Sequence, residues 1–191
     1  MRIFGIDPGS ERTGYGCIES DGSRHRIVAC GAISTPGAAP FPEKLLTIHA
    51  RLAVLIGHCR PDSVAIENLF HATNVRSALK LGHARGVAML AAVEAGVPVI
   101  EYTPAEIKRA VVGYGRAEKR QVAEMVKLIL GLAEPPSPHD AADALAVAIC
   151  HAHSQPPSEG CRAALQGRGC VEAPRDRKAA TSWRHYRPAR P

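Results

Sequence analysis

Four acids stand where carboxylates can act together: Asp7, Glu67, Asp140 and Asp143. Asp7 ends the strand-like run Arg2–Asp7, and Glu67 ends the apolar run Val64-Ala65-Ile66-Glu67. Side chains alternate along a strand, so Asp7 shares a face with Ile3 and Gly5; if the two strands are neighbours, both acids emerge at one sheet edge. Asp140 and Asp143 lie three apart in a helical stretch opened by Ser137-Pro138, on one face and about 5–6 Å apart. Four acids converging without bases repel one another and raise each other's pKa. A pair of Mg²⁺ or Mn²⁺ ions about 3.5–4 Å apart removes that repulsion, activates water and stabilises the leaving oxygen of a phosphodiester. Each acid alone has a plainer reading: Asp7 as a turn residue before Pro8-Gly9, Asp140 as a partner of the helix dipole, Glu67 and Asp143 as solvated ends. Their joint placement favours a two-metal site in which all four are catalytic.

The elements that must position these acids are legible from periodicity. Arg2–Asp7, Gly14–Ser20 and Arg26–Ile33 read as strands joined by Asp7-Pro8-Gly9-Ser10 and Asp21-Gly22-Ser23, an antiparallel meander. Phe41 to His58 then repeats apolar residues at helical spacing and stops at Arg60-Pro61. The strand ending at Glu67 follows, then a helix over Val75–Ala95 and a strand over Val97–Tyr102. Thr103-Pro104-Ala105-Glu106 opens the next helix with a cap, a proline and a capping-box glutamate. Further helices are expected at Glu118–Leu130 and about 138–153. Three hairpin strands followed by βαβ units predict an α/β protein with a mixed sheet and helices on both faces, the order of the ribonuclease H-like fold.

Composition sets the boundaries. The six cysteines include no C-x-x-C pair, and Met-Arg-Ile-Phe-Gly-Ile-Asp is too polar and short for a signal peptide. The longest apolar run, Val87 to Val93, falls far short of the ~20 residues that span a bilayer. A reduced, cytoplasmic protein with no membrane association is expected. The net charge of +6 belongs mainly to the end of the chain: residues 155–191 hold eight Arg/Lys and three Asp/Glu. Residues 154–191 also contain five prolines and, of Leu, Ile, Val and Phe, only Leu165 and Val171. Such a segment cannot offset its ordering entropy by burial, so the reading is a nuclease domain over 1–153 and a basic, disordered tail over 154–191.

Bases gather between the acids. Residues 76–127 hold nine Arg/Lys against five Asp/Glu, with Lys108 and Arg109, then Arg116, Lys119 and Arg120, flanking Gly113-Tyr114-Gly115. A charge run is often only a solvated helix face, but beside an acidic metal site these bases suit a polyanion such as DNA. Phe70 follows the strand that delivers Glu67 and reads equally well as a core aromatic or as an exposed platform. The helix 75–95 is rich in small residues and apolar most of the way round. It either lies between two layers of one subunit or buries a second face in a symmetric homodimer. Cys150, His151 and His153 invite a zinc reading but lack a second ligand pair.

Four blocks resemble the bacterial Holliday-junction resolvase (RuvC) family: Gly5-Ile6-Asp7-Pro8-Gly9 with Thr13-Gly14-Tyr15-Gly16; Glu67-Asn68-Leu69-Phe70; Tyr102-Thr103-Pro104 through Lys108 and then Val112 to Val122; and His139-Asp140-Ala141-Ala142-Asp143-Ala144-Leu145-Ala146. The resemblance covers about residues 1–153. It implies a crossover junction endodeoxyribonuclease with Asp7, Glu67, Asp140 and Asp143 as ligands of two Mg²⁺ ions, Mn²⁺ substituting. It also implies Lys108 and Lys119 on the DNA backbone, Phe70 stacked on an unpaired base, a homodimer on a four-way junction, and cooperation with a branch-migration motor of the RuvA-RuvB type. Some relatives have histidine at the third ligand position. Here His139 precedes Asp140, and helical spacing turns it about 100° away, favouring Asp140. Two rivals remain: a ribonuclease H-like nuclease of the YqgF type acting on RNA, and a non-catalytic junction-binding protein.

Overall fold

The computed structural model describes residues 1–68 and 74–155. Strands β1 (Arg2–Asp7), β2 (Arg12–Ser20) and β3 (His25–Ser34) form the expected antiparallel meander. Helix α1 (Phe41–Cys59) buries Ile48, Leu52 and Ile56 at helical spacing and ends on Arg60 in the left-handed conformation, just before Pro61. Strand β4 (Ser63–Glu67), helix α2 (Val75–Glu94), strand β5 (Val99–Tyr102) and helices α3 (Pro104–Val112), α4 (Lys119–Ile129) and α5 (His139–Ser154) complete the order. The sheet runs β3-β2-β1-β4-β5, with β1 parallel to β4 and β4 parallel to β5. The mixed α/β sheet with helices on both faces is therefore as expected. No helix among the described residues is long and apolar enough to cross a membrane.

Alternation along the central strands sends their side chains into two separate cores. Phe4, Ile6, Val64 and Ile66 pack with Ile48 and Leu52 of α1 and with Ala84 and Ala88 of α2. Ile3, Ile18 and Ala65 point the other way, toward Ile107 and Val111 of α3, Val122 and Val126 of α4, and Leu145 and Ile149 of α5. Helix α5 lies between the sheet and α3–α4. From Ala141 to Ala152 every residue is buried except Asp143. The sequence suggested one sheet-facing side for this helix; small residues nearly all round instead let it be covered on several sides.

Close approach of α5 to the sheet depends on glycine. A Cβ at Gly5 would collide with the Ala144 carbonyl oxygen, and one at Gly14 with the Asp140 carbonyl oxygen. No other residue type fits there without lifting the helix. The capping box at Thr103 is present: the Glu106 carboxylate accepts from the Thr103 N–H at 2.8 Å, and the Thr103 hydroxyl accepts from the Glu106 N–H. Strand β5 starts two residues later than the apolar run suggests. Val97 donates its N–H to Ala92 at the end of α2, and Pro98 has no N–H to give.

Candidate active site

Asp7 and Glu67 end β1 and β4, which pair in parallel through Ile6 and Ile66, so both carboxyls leave the same edge of the sheet. Even alternation places Asp7 on the α5 side with Ile3 and Gly5. Asp143 is the one incompletely buried residue in the middle of α5 and turns toward them. Asp7, Glu67 and Asp143 line a cleft of about 300 Å³, together with Lys108, Lys119 and Val147. Burial and the neighbouring Glu67 and Asp143 push the Asp7 carboxyl up to about 8. Burial, with Asp143 nearby, also raises Glu67, opposed by its hydrogen bond with Asp7 and by the charges of Lys119 and Lys108. Asp7 and Glu67 are thus placed to share a proton.

Of the two lysines lining the cleft, Lys119 is the one paired with an acid. Its Nζ donates to Asp143 Oδ2 at 3.1 Å, and Asp143 draws its pKa up. The lysine is the first residue of α4. A capping box fixes that helix start, with the Gln121 side chain accepting from the Glu118 N–H at 2.8 Å and from the Tyr114 hydroxyl at 2.9 Å. Lys108 reaches the cleft from α3. Arg116 and Arg120 are exposed and outside the cleft lining, and form no ion pair with described residues.

Asp140 is placed differently from the other three acids. It sits in the first turn of α5, does not line the cleft, and receives Arg12 Nε at 3.0 Å from the hairpin arm of β2. His139 is exposed. Arg12 had no signal in the sequence: its role appears only once β2, which begins two residues earlier than expected, is laid against α5. Phe70 lies outside the described residues, as do residues 156–191, nearly all of the expected tail. The zinc reading at Cys150, His151 and His153 divides. His151 is buried and its Nδ1 meets the Tyr102 hydroxyl at 2.8 Å, Cys150 is buried, and His153 turns outward to another partner.

Carboxylates at the ends of two adjacent parallel strands, facing a third on a helix laid across a mixed sheet, define the ribonuclease H-like class. Within that class, the family model described as crossover junction endodeoxyribonuclease RuvC matches residues 3–151, and the chain belongs to that family. The protein of that name from Chloroflexus aggregans is 53% identical over 156 residues, 82% of this chain and 95% of the relative. The one from Trichlorobacter lovleyi is 50% identical over 188 residues, 98% of this chain and 100% of the relative. Among solved structures, Thermus thermophilus RuvC in complex with a Holliday junction substrate superposes with a TM-score of 0.77 at 41% identity, covering 80% of this chain and 93% of that one. The yeast mitochondrial Holliday junction resolvase Ydc2 shares the fold, with a TM-score of 0.55 at 14% identity over 79% of this chain and 78% of that one.

Proposed function

We propose that this chain is a metal-dependent endonuclease that resolves four-way DNA junctions by paired, symmetric phosphodiester hydrolysis, with Asp7, Glu67, Asp140 and Asp143 as the catalytic acids. The observation that carries the reading is the convergence of Asp7, Glu67 and Asp143 in one cleft beside Lys108 and Lys119. Asp7 and Glu67, whose carboxyls are raised chiefly by burial, are oxygen donors in need of cations, and hard oxygen donors suit Mg²⁺ or Mn²⁺. Among the described residues no three His, Cys, Asp or Glu side chains stand together as a finished cage. Asp143 is held by Lys119 and Asp140 by Arg12, so both ion pairs must open for all four acids to serve. When bound, a pair of divalent ions supplies an activated water and charge stabilisation at the leaving oxygen.

The chain's own residues do the rest. Asp7 and Glu67 give up the proton they share, and their fixed strand ends hold two oxygens in place. Lys119, once released from Asp143, and Lys108 face the same cleft and suit backbone phosphates on either side of the scissile bond. Arg116 from the α3–α4 connection and Arg120 from the first turn of α4 extend that basic surface. Phe70, just beyond Asn68, is assigned to stacking on an unpaired base, worth about 1–3 kcal/mol. Helix α2 supports a homodimer: Leu79 and Leu90 are 60% and 50% exposed and flank a shallow apolar groove with Gly82, Gly86 and Val87. A two-fold pair would present two clefts to a junction of matching symmetry. Cooperation with a RuvA-RuvB type motor belongs to the same reading, as do a nuclease unit over 1–153 and a basic tail beyond it.

The test is incubation of the protein in Mg²⁺ with a mobile four-way junction, a linear duplex and an RNA–DNA hybrid of matching sequence. Nicks confined to the junction are expected. Hybrid cleavage would favour the YqgF-type rival, and tight junction binding without any cleavage would favour the non-catalytic one.

A further inference from the structure

His25 and His153 come from opposite ends of the chain and meet with their Nε2 atoms 3.2 Å apart. The sequence offered Cys150, His151 and His153 no second ligand pair; the fold brings His153 a histidine from the start of β3. The meeting point is remote from the acidic cleft. Ser20, beside His25, hydrogen-bonds with Met1 at the beginning of β1, whereas Asp7 ends that strand. Along α5, ten residues separate Asp143 from His153, about 15 Å at the helical rise.

The outer nitrogens of both rings are held. His153 Nδ1 stands 3.0 Å from the Ala110 carbonyl oxygen, which can only accept, so Nδ1 carries the proton and the neutral ring turns a lone pair toward His25. His25 Nδ1 stands 3.0 Å from the Ser20 hydroxyl, which can donate or accept. When Ser20 donates, His25 bears its proton on Nε2 and gives it to His153. When Ser20 accepts, both Nε2 lone pairs face each other, an arrangement that only a cation between them makes favourable. A backbone carbonyl behind an imidazole is one of the partners that orient histidine metal ligands, and the Ser20 hydroxyl oxygen can accept from His25 as a water would. Two nitrogens each about 2.0–2.1 Å from a tetrahedral ion lie about 3.3 Å apart, close to the separation found.

We propose that His25 and His153 form an imidazole cation site for a borderline transition-metal ion such as Zn²⁺, Ni²⁺ or Cu²⁺, bridging β3 to the end of α5. The two rings are the protein's share of the coordination and water fills the rest, since no third His, Cys, Asp or Glu among the described residues stands close enough. The hard oxygen-seeking Mg²⁺ has no preference for this pair. Binding moves the His25 proton from Nε2 to Nδ1, so the neutral pair releases no net proton. The ion ties the β2–β3 hairpin to α5, and through the Ala110 carbonyl to α3, which carries Lys108.

The test is thermal unfolding and calorimetric titration of the full chain with Ni²⁺, in excess Mg²⁺ so that hard-ion sites do not contribute. The expected result is a saturable rise in Tm, about 5–10 °C at roughly a hundred times Kd. That increment should vanish in both His25→Gln and His153→Gln, with the Tm in Mg²⁺ alone and junction cleavage kept in His25→Gln. Ser20→Ala should keep the site but weaken it by about tenfold or more, as loss of a partner behind a ligand does. An unchanged Ni²⁺ increment in His25→Gln, including one owed to Cys161, Cys170 or His185 of the tail, overturns the proposal.

Discussion

Asp7 ends β1 with its carboxyl withdrawn from water and set against two other acids, and that placement governs how the fold responds to pH. Its ordinary value of 3.8 rises to about 8. Between those values the folded state holds a proton that the unfolded state has lost, so this carboxyl makes stability fall as pH rises, complete above pH 8. Asp7→Asn removes the effect. In metal-free buffer the variant is expected to melt roughly 3–8 °C above the native chain at pH 8.5 and to match it near pH 4, measured by circular dichroism. Addition of Mg²⁺ at pH 8.5 should raise the native chain and not the variant. Strand alternation told from the sequence which way Asp7 faces, and Glu67 was expected beside it only if the two strands were neighbours, a condition that the parallel pairing of β1 with β4 meets. The sequence could not show that Asp140 is held by Arg12 or Asp143 by Lys119, since those partners lie 128 and 24 residues away and depend on how elements pack.

At the scale of elements, α5 is the part on which the site depends. It carries Asp140 and Asp143, is covered on several sides, and rests on β1 and β2 at a distance that Gly5 and Gly14 make possible. Gly14→Ala drives a methyl group into the Asp140 backbone. The expected cost is about 1–3 kcal/mol in urea unfolding, with a loss of cleavage larger than the fraction unfolded explains. An alanine tolerated at both stability and activity would show that α5 can shift without harm to the acids. Most element positions were readable beforehand because strand and helix periods differ and Thr103-Pro104-Ala105-Glu106 marks a helix start. What escaped was the burial of α5, since a helix of small residues looks alike whether one side or several are covered. The two-residue displacement of β5 escaped because Val97 to Ile100 reads as one apolar run, while residue pairing with β4 begins only at Val99.

At the scale of the whole molecule, two apolar sides of α2 have different fates. Ala84, Ala88, Ala91 and Ala92 pack against the subunit's own core, while Val75, Leu79, Leu90 and Val93 are at least half exposed. The alternative of a helix between two layers of one subunit does not fit that exposure. A second copy of the chain covers the outer face in the homodimer reading. Leu79→Glu is expected to convert a dimer into a monomer in sedimentation velocity at micromolar concentration, while each cleft keeps its acids. A native chain that sediments as a monomer would count against the dimer.

Single-turnover cleavage of a mobile four-way junction in Mg²⁺, with junction binding followed in parallel for the native chain and Asp143→Asn, tests the central claim most directly. Paired nicks on opposing strands of like polarity are expected for the native chain. Asp143→Asn should lower the cleavage rate by about 10²–10³-fold or more while junction affinity is retained or rises. Undiminished cleavage by Asp143→Asn, or cleavage by the native chain that persists after all divalent metal is chelated, would contradict the central claim.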